Sequence, residues 1–188
     1  LWLCGRYRNF GDSRTGLDAG ERGLECTIFC SEDDGATFYK AQSWTKAELS
    51  TEESKVLSIE GTSLHQLPDG RWELFISSEK ALAYPDQIGG YQKNGTGVWT
   101  IDRITGQKPD MLASISIEPV LANFDHPEYL HVKDPVVYDW EDNETALIFC
   151  SHPFTWSSSN SGLATRSSGE NKFTVQQWEL VPRGAAWD

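Results

Sequence analysis

The chain repeats itself at a spacing of 74 residues, and few folds tolerate such a period. Sliding the sequence by that distance sets Glu60 on Asp134, Leu64 on Tyr138, Leu74 on Ile148, Phe75 on Phe149 and Ser77 on Ser151, without a gap. Each copy reads as a strand, a polar turn (Pro68-Asp69-Gly70 or Glu141-Asp142-Asn143) and a second strand ending in Ser. The run from Trp2 to Arg6 matches that second strand, with Cys4 opposite Ile76 and Cys150. A third and a fourth strand follow each second one. Tight polar turns join them at Ser31 to Gly35, Ile104 to Gln107 and Ser167 to Glu170, where Gly accepts a positive φ. Short apolar runs such as Trp72 to Ile76, Gly97 to Ile101, Pro135 to Tyr138 and Ala146 to Cys150 carry the strand signature. Only Lys46 to Leu57 reads as helical, as a connector.

Repeated four-stranded antiparallel units predict an all-β chain whose units are blades of a β-propeller, since a β-sandwich requires no such regular repeat. The blades are expected near 1–50, 55–122 and 130–182, with a further blade starting at 184–188 and the first lacking its opening strand. The sequence opens at Leu1 and closes on a strand-like run. We therefore expect a partial propeller domain over 1–188, five-bladed when complete, with the remaining blades of the same chain as its partner. One turn is specific. Ser31-x-Asp33-x-Gly35-x-Thr37-Phe38 resembles the Asp-box, in which short polar side chains bind the turn's own backbone and an aromatic packs into the blade.

A net charge of −12 and the absence of Lys/Arg runs argue against nucleic acid, which is held by clustered cations. The same surplus is repelled by anionic lipid surfaces, and no apolar stretch reaches bilayer length, so no membrane partner is expected. Cys4, Cys26, Cys30 and Cys150 show no zinc spacing and read as free thiols. No metal site or cofactor is expected, and no residue pattern indicates a structural calcium ion. The compartment is not encoded in these residues.

In a blade, the start of the first strand and the end of the second lie on one face. That placement assigns Glu60 and Asp134 to two inner-strand starts, and Arg6, Ser78 and His152 to the ends of second strands. Long loops open on the same face, at 7–23, 79–95 and 153–162, and carry Arg8, Tyr84 and Trp156. Aromatic rings stack on the apolar faces of sugar rings, while carboxylates, Arg and His direct hydrogen bonds to hydroxyls. Two carboxylates across a cleft can divide the labour of glycoside cleavage. His126 and His131 carry no ligand spacing, and most of the eight Trp are expected to fill space between blades.

These residues resemble the five-bladed propeller glycosidases of the β-fructosidase and arabinanase/β-xylosidase type. The likeness rests on Ile59-Glu60-Gly61 with Asp69-Gly70-Arg71-Trp72-Glu73-Leu74-Phe75-Ile76-Ser77, and on Lys133-Asp134-Pro135 with Phe149-Cys150-Ser151. It implies that Glu60 is a general acid and that Asp134 orients substrate and tunes that acid. Arg6, Arg8, Ser78, Tyr84, His152 and Trp156 would bind a carbohydrate. In that group the Asp-Pro blade usually comes first, whereas here Glu60 precedes Asp134, and no N-terminal nucleophile or base is identifiable. The residues leave two alternatives open: an Asp-box sialidase-like hydrolase drawing on Arg6, Arg8 and Arg14, and a non-catalytic carbohydrate-binding propeller.

Overall fold

A computed structural model describes residues 1–7, 21–92, 94–140, 143–152, 159–167 and 170–182. The first sheet has three strands in the order β1 (Trp2–Tyr7), β2 (Glu25–Cys30) and β3 (Tyr39–Thr45). The second has four, β4 (Val56–Gln66), β5 (Trp72–Lys80), β6 (Val98–Gly106) and β7 (Glu118–Leu121). The third repeats that order with β8 (His131–Asp139), β9 (Glu144–His152), β10 (Asn160–Ser167) and β11 (Thr174–Val181). Every pairing is antiparallel between neighbours in sequence.

The sheets pack face to face in series. Cys26, Ile28 and Trp44 of the first meet Ile59, Leu74, Ile76 and Ile104 of the second. On the opposite side of the second sheet, Phe75, Ile101 and Leu121 meet Val132, Val137, Leu147, Phe149 and Ala164 of the third. The middle sheet is thus covered on both faces. That is why β5 and β6 are buried almost without interruption, whereas β10 alternates between buried and half-buried.

Two local expectations need correction. The helix stops after one turn: α1 (Lys46–Leu49) starts on a capping box between Thr45 and Glu48. Ser50 then donates to the Lys46 carbonyl (2.7 Å) and accepts from the Val56 N–H (2.9 Å), which turns the chain into β4. A second single turn, α2 (Asp86–Gly89), follows Pro85. The link after β6 is not a tight turn either. It runs through 3₁₀ turns at Pro109–Met111 and Ser114–Ser116 before the short β7.

The Ser31 turn behaves in part as expected. Ser31 Oγ accepts from the Gly35 N–H (2.8 Å), and Asp33 accepts from the Thr37 N–H (2.8 Å) and hydroxyl (2.6 Å). Phe38, however, stays 40% exposed and does not enter the core.

The register also shifts the repeat by one. Ile59 pairs with Ser78 and Val132 with Ser151; Leu64 pairs with Leu74 and Val137 with Leu147. Each of these partners is offset by 73 residues (132 − 59 and 151 − 78). A one-residue slip sends a side chain to the other face of a sheet. Phe75 and Phe149, identical at the 74-residue slide, in fact point to opposite faces of their sheets. Glu60 therefore corresponds to Lys133, and it is Gly61 that corresponds to Asp134.

Candidate functional site

β4 and β8 both break their ladders at these residues. In β4 the register jumps between Ile59 and Thr62, so Glu60-Gly61 bulges opposite Ser77. In β8 it jumps between Lys133 and Val136, so Asp134-Pro135 bulges. Bulges re-aim side chains and leave backbone groups without ladder partners. Here the two bulges touch. A Cβ added to Gly61 would lie 2.6 Å from Asp134 Cα and 2.6 Å from its Oδ1, a distance only Gly permits. Asp134 itself holds φ 53°, a left-handed conformation uncommon outside Gly. Strain of this kind persists only where surrounding contacts impose it, and it concentrates at working sites.

The buried hydroxyl of Ser77 ties the two bulges together. It accepts from the N–H of Gly61 (2.9 Å) and from the N–H of Asp134 (3.1 Å), and donates to the Gly61 carbonyl (3.3 Å). The carboxylate of Glu60 reaches toward the first sheet. Arg6 Nη1 pairs with Oε2 and the Ser58 hydroxyl donates to Oε1 (2.8 Å), with the Glu60 side chain 17% exposed. The carboxylate of Asp134 is 47% exposed, with Lys133 Nζ at 4.0 Å. The arrangement therefore presents one sheltered, cation-paired carboxylate and one open carboxylate on adjoining strands.

The other expected residues are placed differently. Ser78 is buried on the flank that faces the first sheet, where it bonds Asp102. Tyr84 is corrected from rim to core: it is 4% exposed and packs with Ile88, Val98 and Leu130. Its hydroxyl donates to the Leu130 carbonyl and lies 2.8 Å from His131 Nδ1. Burial pushes the Tyr84 phenol up and drives the His131 imidazole down to about 3, so both act as neutral core groups. His152 closes β9 opposite His131, and its side chain lies outside the described residues, as do Arg8, Arg14 and Trp156.

Sequence reasoning missed Glu79. It is fully buried beside the site, accepts from the Gly97 N–H (2.8 Å) and pairs with Arg22 at 3.1 Å. Burial raises its carboxyl, and the charge of Glu60 adds to that. The signal available was its place at the end of a second strand, but a burial cost is invisible before packing is known. A cavity of about 590 Å³ lies elsewhere, between residues 49–54 and the outer half of the second sheet. It is lined by Leu82, Phe124 and the Lys80–Asp102 ion pair, and by neither Glu60 nor Asp134. We place the candidate site at the bulges, because strain and paired carboxylates carry chemistry that cavity volume alone does not. Among the described residues no cluster of His, Cys, Asp and Glu is arranged to hold a metal ion, and no helix is long and apolar enough to cross a membrane.

No family model and no curated protein matches the chain. Several solved structures do. A protein of unknown function from Dyadobacter fermentans aligns at 13% identity and TM-score 0.56, over 93% of this chain and 50% of that one. An α-L-arabinanase from Penicillium chrysogenum, complexed with arabinobiose, aligns at 15% identity and TM-score 0.50, over 94% of this chain and 44% of that one. A β-xylosidase aligns at 15% identity and TM-score 0.41, over 63% of this chain and 35% of that one. The chain thus spans half or less of the length of these three structures. The likeness is one of fold, an all-β and propeller-like arrangement.

Proposed function

We propose that the three sheets are consecutive blades of a propeller, five-bladed when complete, that hydrolyses a glycosidic bond in a poly- or oligosaccharide. The observation that carries this reading is the contact between the Glu60-Gly61 and Asp134 bulges, which sets two carboxylates on adjoining inner strands. Glu60 is the general acid: its proton passes to the leaving oxygen as the anomeric C–O bond breaks, water adds its hydroxyl at the anomeric carbon and releases its other proton to solvent, and solvent reprotonates Glu60. For that step Oε2 must exchange Arg6 for the substrate, and the released guanidinium then meets a sugar hydroxyl. Asp134, open to solvent, orients the substrate. His152, which closes β9, is a further candidate for substrate binding, and so are Arg8 and Trp156. The arabinanase neighbour in fold supports the reading by analogy.

The test is hydrolysis of aryl arabinofuranoside, xyloside, fructoside, galactoside and sialoside by the full-length protein and its Glu60→Gln variant. One sugar should be released, with kcat about a hundredfold lower in the variant. Retained activity would remove Glu60 from the chemistry. The Arg6–Glu60 ion pair also favours a second reading, a non-catalytic carbohydrate-binding propeller. Binding of a saccharide without turnover, weakened by Glu60→Gln, would establish that reading instead.

A further inference from the structure

We propose that Ser77 is a positioning residue that locks the Glu60-Gly61 and Asp134 bulges together, and so fixes how the two carboxylates face a substrate. This inference rests on the glycosidase reading above. A bulge strips its backbone of ladder partners, and two bulges side by side would otherwise be free to slide. Ser77 is fully buried on β5, between β4 and the third sheet, and one hydroxyl serves both bulges. Both its lone pairs are filled, by the N–H groups of Gly61 and Asp134, and its single proton goes to the Gly61 carbonyl. Nothing in its bonding capacity is left over for substrate. Glu60 is covalently next to Gly61, and Asp134 is gripped at its own N–H. A shift at Ser77 therefore moves both carboxylates at once. Displacements of about 1 Å are enough to cost catalysis orders of magnitude.

The role has a signature that simple loss of fold lacks. A misplaced general acid matters for a leaving group that needs protonation, and hardly for one that departs as a stable anion. The experiment uses the full-length protein with phenyl and dinitrophenyl glycosides of whichever sugar it hydrolyses. For Ser77→Ala, kcat on the phenyl glycoside should fall about tenfold to a hundredfold, while kcat on the dinitrophenyl glycoside falls about threefold or less and KM rises on both as Asp134 shifts. Ser77→Cys, nearly the same shape with a weaker donor, should fall between wild type and Ser77→Ala and keeps the test open if the Ala variant folds poorly. Equal loss on both glycosides in the two variants, or no loss, would overturn the proposal while leaving the glycosidase reading intact. A wild-type protein inactive on every glycoside would overturn the glycosidase reading, and the role of Ser77 with it.

Discussion

At Gly61 the side chain that is missing matters more than any that is present. Its neighbour across the sheet interface, Asp134, occupies the space a methyl group would need. We expect Gly61→Ala to cost about 1–3 kcal/mol, the usual toll of forcing extra atoms into a closed contact. It should also lower hydrolysis by more than the fraction unfolded accounts for, because the bulges must part. Gly5→Ala provides the contrast: the added carbon has nothing within 4 Å, so its urea midpoint should match wild type. Chemical denaturation of both variants checks the pair, and equal midpoints would disprove the contact. The sequence displayed the Ile59-Glu60-Gly61 run, but not the reason for its Gly, which lies 73 residues away in the chain. Tyr84 shows the converse failure. A loop aromatic before Pro85 looks like a rim residue until packing buries it.

Between elements, the second and third sheets are clamped by charge at the end remote from the bulges. Glu73 of β5, 1% exposed, receives Arg103 Nη1 of β6 (2.8 Å) and Arg166 Nη1 of β10 (2.9 Å). His65 of β4 bridges Glu73 (3.1 Å) and Asp139 of β8 (3.0 Å). Two carboxylate acceptors require both ring nitrogens to donate, which describes an imidazolium. Burial alone would raise the Glu73 carboxyl, but His65, Arg166 and Arg103 outweigh it and hold it down to about 2. Burial likewise works to lower the His65 imidazole, yet Glu73 and Asp139 win and raise it. The signs then differ. The contribution of Glu73 is present above the unfolded carboxyl value of 4.5 and is lost as pH falls toward 2. That of His65 is full below 6.5 and is lost as pH rises through its raised value. Thermal melts should therefore show wild type and His65→Gln furthest apart near pH ~5 and converging in alkali. A gap independent of pH would mean a neutral His65. Glu73→Gln takes the carboxylate from buried Arg166, while Arg103 keeps Glu118, and should cost about 3–5 kcal/mol. The 74-residue slide found the strands but mispaired them, because the identical Phe75 and Phe149 outweighed a face that only register reveals.

For the whole molecule, the same stacking that buries both faces of the second sheet leaves the first and third sheets packed on one face each among the described residues. Strand order and meander topology were legible because period and turn residues state them locally. Which faces of the sheets meet was not, because sheet-to-sheet contact is decided by packing that no local residue describes. The consequence is concrete at β1. It is the edge of a three-stranded sheet, with its outer side unpaired among the described residues. Trp2 and Cys4 turn toward the core while Leu1 and Leu3 are 65% and 51% exposed. Val136 of β8 is 55% exposed on the far side of the molecule. An open edge carrying exposed apolar side chains recruits another strand. We therefore expect the 188-residue chain on its own to associate with itself as concentration rises, despite a net charge of −12 that opposes contact. Leu3→Lys should move the equilibrium toward monomer, because a charge on an edge strand makes added pairing costly, and should leave the melting temperature within about 2 °C. Sedimentation velocity across a tenfold range of concentration resolves this. A monomer at every concentration in both proteins would mean that the edge is already covered by residues outside the described strands. Association unchanged by Leu3→Lys would move the sticky surface to the far face, around Val136.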